Sequence, residues 1–154
     1  MPVILGVLPR RRWWVTVNGR QYVTMKHVLP TEAWALIQNE PDALFIDVRM
    51  EIESLYVGRP PGVVNIPWYE YPELTPDPQA FVQAVRAEAQ GFEQAVVLIC
   101  RSGKRTLDAG LALEAAGFVR VINVLHGFEG ELDDGFHRST RNGWRFDGLP
   151  WEQL

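Results

Sequence analysis

The sequence predicts an α/β domain, a rolled-out three-layer arrangement with a mostly parallel central sheet and helices on both faces. Three observations lead there. From Pro30 onward, short apolar runs alternate with stretches of helical periodicity. The apolar runs lack the polar alternation of a half-wet sheet, as expected of strands covered on both sides. Helix punctuation stands where the alternation needs it: Asp77-Pro78 opens one helix and Gly117 closes another.

Taken in order, Pro30 to Asn39 reads as a short helix with Ala33, Leu36 and Ile37 on one face, stopped by Pro41. Ala43 to Ile46, with Val48 just beyond, reads as a buried strand, and Val63, Val64 and Ile66 as a second, ended by Pro67. Asp77 is an N-cap and Pro78 the first helical residue; Phe81, Val82, Val85 and Ala89 form that helix's apolar face. Ala95 to Ile99 is another apolar strand. Thr106 to Ala116 is an Ala- and Leu-rich helix, and Val119, Val121, Ile122 and Val124 supply the next strand. Gly127 to Leu154 reads as a short helix followed by a Trp-bearing tail.

Residues 1–26 differ from the rest and read as an N-terminal extension; the domain itself occupies 27–154. In the extension, Trp13, Val15 and Val17 alternate up to Asn18-Gly19, and Tyr22 and Thr24 alternate after it. Asn-Gly between alternating runs signals a hairpin, because both turn residues need positive φ. The competing reading is a poorly ordered stretch ahead of Met25. Arg10, Arg11 and Arg12 read as a solvated tail, against the alternative of a nucleic-acid or lipid contact.

Composition narrows the function classes. The chain has 154 residues, 47% hydrophobic and 22% charged, with net charge −4 and six Trp. That supports a packed core and excludes a disordered chain. No apolar run approaches the roughly 20 residues of a membrane helix. The order of Val3–Leu8 and the arginines is the reverse of a secretory signal, so the expectation is a cytoplasmic protein without a membrane partner. Mild acidity argues against nucleic acid as a partner. Cys100 is the only cysteine and His27, His126 and His137 are scattered, which excludes an internal disulfide and Cys-pair zinc sites. No metal and no cofactor is expected.

One junction concentrates chemistry. Cys100 ends the strand Ala95–Ile99; Arg101, Ser102, Gly103, Lys104 and Arg105 follow, and a helix begins near Thr106. A strand-to-helix loop can turn its N–H groups inward as an anion nest. The helix N-terminus adds about half a positive charge, and Gly103 permits a tight turn. Three cations would repel one another in a purely structural turn unless an anion sat among them. Together these favour a thiolate over a thiol and make Cys100 a candidate nucleophile. The alternative is an inert, buried strand-end cysteine.

C-R-S-G-K-R-T at 100–106 resembles the active-site loop of rhodanese-like sulfurtransferases. F-I-D-V-R at 45–49, G-R-P-P-G-V-V-N-I-P at 58–67, G-F-V-R-V-I-N-V-L-H-G-F at 117–128, and Trp144 with G-L-P at 148–150 resemble further segments of the family. The resemblance spans roughly residues 28–151. It departs at Arg59, Pro60 and Val63, and at His126, where a Gly-Gly turn would have its first glycine. It implies a rhodanese-like domain acting as a thiosulfate sulfurtransferase. Cys100 would take sulfur from a small anionic donor such as thiosulfate, carry it as a persulfide, and pass it to cyanide or a thiol, including a protein thiol. Arg101, Ser102, Gly103, Lys104, Arg105 and Thr106 would bind the donor. Asp47 and Arg49 would either support the loop or form an ordinary pair closing a strand end.

The rivals are a persulfide carrier serving a protein partner, a binding module that kept only the fold, and a phosphatase or arsenate reductase of the same fold. The phosphatases use Cys, five residues, then Arg; here four residues separate Cys100 from Arg105, and Thr106 holds the place of that arginine. The tighter loop suits a sulfur atom better than a phosphoryl group. A basic loop should also favour a dianionic donor. His126 and His137 read as turn or surface residues rather than as partners in a Cys–His dyad, since the loop itself favours the thiolate and needs no general base. Trp68, Tyr69 and Tyr71 read as either an acceptor-docking patch or packing, and Glu51 and Glu53 as a solvated helix face.

Overall fold

The computed structural model describes residues 4–7 and 13–154. Arg10, Arg11 and Arg12, read above as a solvated tail, lie outside the described residues, as do residues 1–3, 8 and 9. Strands β1 (Ile4–Val7), β2 (Trp13–Val17) and β3 (Arg20–Val23) form a three-stranded antiparallel sheet. β2 and β3 are joined through Asn18 and Gly19, at φ 49° and 73°. Positive φ at both positions is what an Asn-Gly hairpin turn needs.

The main sheet has five strands: β4 (Lys26–Val28), β5 (Leu44–Asp47), β6 (Val64–Asn65), β7 (Val96–Ile99) and β8 (Val121–Val124). Their order is β4-β8-β7-β5-β6, and every pair is parallel. All four residues of β7 and all four of β8 are buried, which is why β7 is wholly apolar and β8 carries a single polar residue, Asn123, paired with His27.

Side-chain alternation along the strands separates two cores. Ile46, Val48, Val96, Leu98 and Cys100 face the helices α2 (Pro78–Glu88) and α3 (Arg105–Ala116), meeting Phe81, Val85, Ala109 and Leu113. Phe45, Val97, Ile99, Ile122 and Val124 face the other way, onto Ala33 of α1 (Pro30–Asn39) and onto Phe128 and Trp144. The result is the expected three layers. Burying a side chain such as Phe81 contributes about 1.5–3 kcal/mol.

The helix ends follow local chemistry. The Asp77 carboxylate accepts the Ala80 N–H at 3.1 Å and Pro78 opens α2. Gly117 closes α3 at φ +112°. Two expectations need correction. No helix forms in 127–154; that segment is a series of turns held by Trp144, whose N–H donates to Gly127 O and whose indole N–H donates to Pro150 O. Fixing this fully buried indole leaves the backbone no regular register to follow. The other correction concerns residues 51–57, a helical segment ending in a π-helical turn (Glu53–Val57), where Glu53 is not a solvated residue. Among the described residues no helix is long and apolar enough to cross a membrane.

The strand order fixes where a site can form. After β5 the chain moves outward to β6; after β7 it moves the opposite way to β8. The carboxyl ends of β5 and β7 therefore flank the switch point, where parallel α/β sheets open a crevice. Cys100 follows β7 and Asp47 ends β5.

Candidate active site

Cys100 is 1% exposed, just past the carboxyl end of β7 in the stretch leading to α3. The chain folds back on its sulfur: the Gly103 N–H donates to Cys100 Sγ at 3.1 Å. Gly103 has φ +91°, which L side chains rarely adopt. Thr106, fully buried in the first turn of α3, brings Oγ1 to 3.7 Å from the same sulfur. Among the described residues, the N–H groups of Ser102, Lys104, Arg105 and Thr106 donate to no protein acceptor. The loop thus presents unengaged donors beside the sulfur, the arrangement of an anion nest at a helix N-terminus.

The loop is braced from behind by the turn after β8. Phe128 N–H donates to Cys100 O at 2.7 Å and Glu129 N–H to Arg101 O at 2.9 Å. Backbone lies on backbone here. A Cβ on Gly127 would overlap Cys100 O and come within 2.6 Å of the Arg101 carbonyl carbon. His126, at the expected Gly position, keeps a left-handed φ of +68°. His137 is a surface residue 3.9 Å from Asp133.

Asp47 and Arg49 form a fully buried pair. The Arg49 guanidinium donates to Asp47 at 2.9 and 2.7 Å and to Gly58 O at 2.6 Å, and it lies 4.6 Å over the Phe128 ring. Because Phe128 in turn holds Cys100 O, the pair joins the end of β5 to the sulfur loop. Asn65 ties the same bend by donating to Asp47 O and Arg49 O. The role of Asn65 was not legible in the sequence.

The loop cations are not equivalent. Arg101 and Lys104 are exposed and have no ion pair among the described residues. Arg105 is taken by Glu53 in a bidentate contact at 2.7 and 2.9 Å, both side chains being 13% exposed, and its guanidinium lies 5.3 Å over the Tyr69 ring. Burial pushes the Glu53 carboxyl up, but the Arg105 hydrogen bonds and charge, with the Met50 N–H and Arg49, hold it below its ordinary value. Burial likewise works against the Arg105 cation; Glu53, with a smaller electrostatic contribution from Cys100, raises it above its ordinary range. Arg105 therefore stays charged but is already neutralised. Sequence spacing held no sign of this partner, 52 residues away. Trp68 is packed against Phe81 in the core, Tyr69 backs Arg105, and of the three only Tyr71 is largely exposed, so the three aromatics do not form one patch.

This loop, crevice and brace define a class in which a strand-end cysteine is cradled by backbone donors. The description "Rhodanese-like domain" matches residues 29–132, and the chain belongs to that family. It is similar to Rv0390 from M. tuberculosis, whose crystal structure superposes with a TM-score of 0.74 at 35% identity, over 84% of this chain and 98% of that one. Thiosulfate sulfurtransferase GlpE of Glaesserella parasuis serovar 5 is 26% identical over 107 residues, 70% of this chain and 86% of the relative. The polysulfide-sulfur transferase homodimer of Wolinella succinogenes shares the fold, with a TM-score of 0.58 at 22% identity over 84% and 80% of the two chains.

Proposed function

We propose that this protein is a sulfurtransferase that moves sulfane sulfur through a persulfide on Cys100. The observation that carries the reading is the Gly103 N–H aimed at Cys100 Sγ at 3.1 Å, with further unengaged N–H groups around it at the start of α3. Donors fixed in this way favour a thiolate, a persulfide and the anionic transition states between them without rearranging.

In the first half-reaction the Cys100 thiolate attacks the outer sulfur of thiosulfate. A bond forms between Sγ and that sulfur; the old S–S bond breaks, and its electron pair leaves with sulfite. In the second, an acceptor nucleophile (cyanide, a small thiol or a protein thiol) attacks the outer sulfur of the persulfide. The electron pair of the broken bond returns to Sγ. Arg101 and Lys104 steer the dianionic donor, and the name of the GlpE relative supports thiosulfate in that role. Four residues between Cys100 and Arg105, with Arg105 tied to Glu53, speak against phosphoryl transfer. A lone reduced thiol suits the cytoplasm.

The test is mass spectrometry of the intact protein after thiosulfate, beside Cys100→Ser. One added sulfur atom on the wild type, absent from the variant and discharged by cyanide, is expected. Undiminished transfer by Cys100→Ser would overturn the reading.

A further inference from the structure

Beside the sulfur loop lie two grooves whose charge is opposite to that of the loop. One, of about 620 Å³, is walled by Ile52, Leu55, Tyr56 and Tyr71; Ile52, Tyr56 and Tyr71 are 59%, 65% and 77% exposed. The other, of about 430 Å³, opens over Trp68 and Phe81. Glu70 lines both. Glu51 belongs to the first and Glu73 and Asp77 to the second, and neither lining contains a Lys or Arg. Among the described residues none of these four exposed carboxylates has an ion pair. Glu51 and Glu70 are neighbours, since the Glu70 carboxylate accepts the Glu51 N–H at 3.1 Å.

The grooves are linked to the loop by a chain of contacts. Met50 N–H donates to Glu53, Glu53 holds Arg105, and Arg105 lies on Tyr69, which lines the second groove. Residues bordering both grooves thus pack against Glu53 and Arg105, which adjoin the loop. Cys100 itself is almost fully covered, so a protein acceptor reaches it with an extended segment rather than a flat face.

Resting on the sulfur-transfer reading, we propose that these grooves dock the acceptor: a protein segment carrying the receiving cysteine among aliphatic and basic residues. Its aliphatic side chains fill the space between Ile52, Tyr56 and Tyr71, and its lysines or arginines meet the carboxylates. The two half-reactions then use adjacent surfaces of opposite sign, the cationic loop for the donor and the acidic grooves for the acceptor. In the transfer step the segment's thiolate bonds to the outer persulfide sulfur, and the Cys100 Sγ–S bond breaks with its electron pair returning to Sγ. Complementary charge raises the rate of encounter and rejects acceptors of the wrong sign.

The test uses a short peptide with one cysteine flanked by leucines and lysines, and a counterpart with glutamates for the lysines. Transfer from thiosulfate-loaded protein is expected to favour the basic peptide by about tenfold or more in kcat/KM. The preference should fall toward unity in Glu51→Gln/Glu70→Gln, and both peptides should lose transfer rate in Ile52→Ser/Tyr71→Ser, while cyanide turnover is unchanged. Binding of fluorescein-labelled peptides with serine in place of cysteine, followed by anisotropy at low and high salt, reads docking independently of sulfur. Equal binding of the two peptides, a preference that survives Glu51→Gln/Glu70→Gln, or transfer to both peptides undiminished in Ile52→Ser/Tyr71→Ser would overturn the proposal. So would a concentration-dependent dimer lost in those variants, which would make the grooves a contact with a second copy. A protein that never gains sulfur yet binds the basic peptide selectively would sink the sulfur-transfer reading and leave the docking surface standing.

Discussion

Arg105 and Glu53 face each other in a two-pronged ion pair, 52 residues apart in the chain, and so decide how much uncompensated charge the Cys100 loop carries. With Arg105 neutralised, Arg101 and Lys104 remain as its unpaired cations among the described residues.

Glu53→Gln should lower stability near neutral pH by about 2 kcal/mol, the scale of hydrogen bonds to a charged group. The Glu53 carboxyl sits below its ordinary value when folded, so its contribution is complete above the unfolded value of about 4.3 and is lost as pH falls through the folded one. Urea unfolding at pH 7 and pH 3 should show the variant's deficit shrinking at the lower pH. An equal deficit at both would contradict the ion pair.

Arg101→Gln/Lys104→Gln should raise KM for thiosulfate about tenfold, with a smaller change in kcat, because two exposed charges act on encounter more than on chemistry. The wild-type salt dependence of kcat/KM should flatten in the variant. Steady-state assays from 20 mM to 300 mM salt, roughly the range over which the Debye length shortens several-fold, provide the check.

Gly127→Ala should be among the costliest small substitutions in the chain. The added methyl would strike the Cys100 and Arg101 carbonyls at a left-handed φ of +64°. Strain and collision together predict a loss of about 2–4 kcal/mol and failure to load sulfur. Thermal unfolding and intact-mass measurement after thiosulfate would reveal it; Gly19→Ala, where the added methyl meets nothing within 4 Å, is the comparison.

Asp47→Asn or Arg49→Met alone should each destabilise by about 3–5 kcal/mol, since either leaves its fully buried partner uncompensated. The double variant should be less damaging than the sum. A denaturant double-mutant cycle measures this coupling, and strict additivity would argue that the pair does not act as a unit.

The fold was largely legible because its signals are local. Val96–Ile99 is apolar at every position and Val121–Val124 at all but Asn123, since helices or loops cover both faces, and Asp77-Pro78 caps its helix through contacts three residues away. The 127–154 segment was misread because Trp144 imposes turns through contacts with Gly127 and Pro150 that no periodicity encodes. At the site, Cys100 and Gly103 stood out through adjacency. Glu53, Asn65 and Phe128 did not, because each acts across a large sequence separation, and Glu53 lies in a polar stretch that reads as an ordinary wet helix.

The pairing of β4 with β8 carries a kinetic consequence. Residues 26–28 find their neighbour only at 122–124, so the sheet closes after almost a hundred residues of intervening chain. Parallel pairing of that span is slow to nucleate, because the entropy of a long loop is lost before any contact compensates it. The carbonyls of Cys100 and Arg101 are gripped by the stretch immediately following β8. During synthesis, then, Cys100 emerges from the ribosome before the stretch that grips its loop, and the brace is added only once the residues following β8 are made.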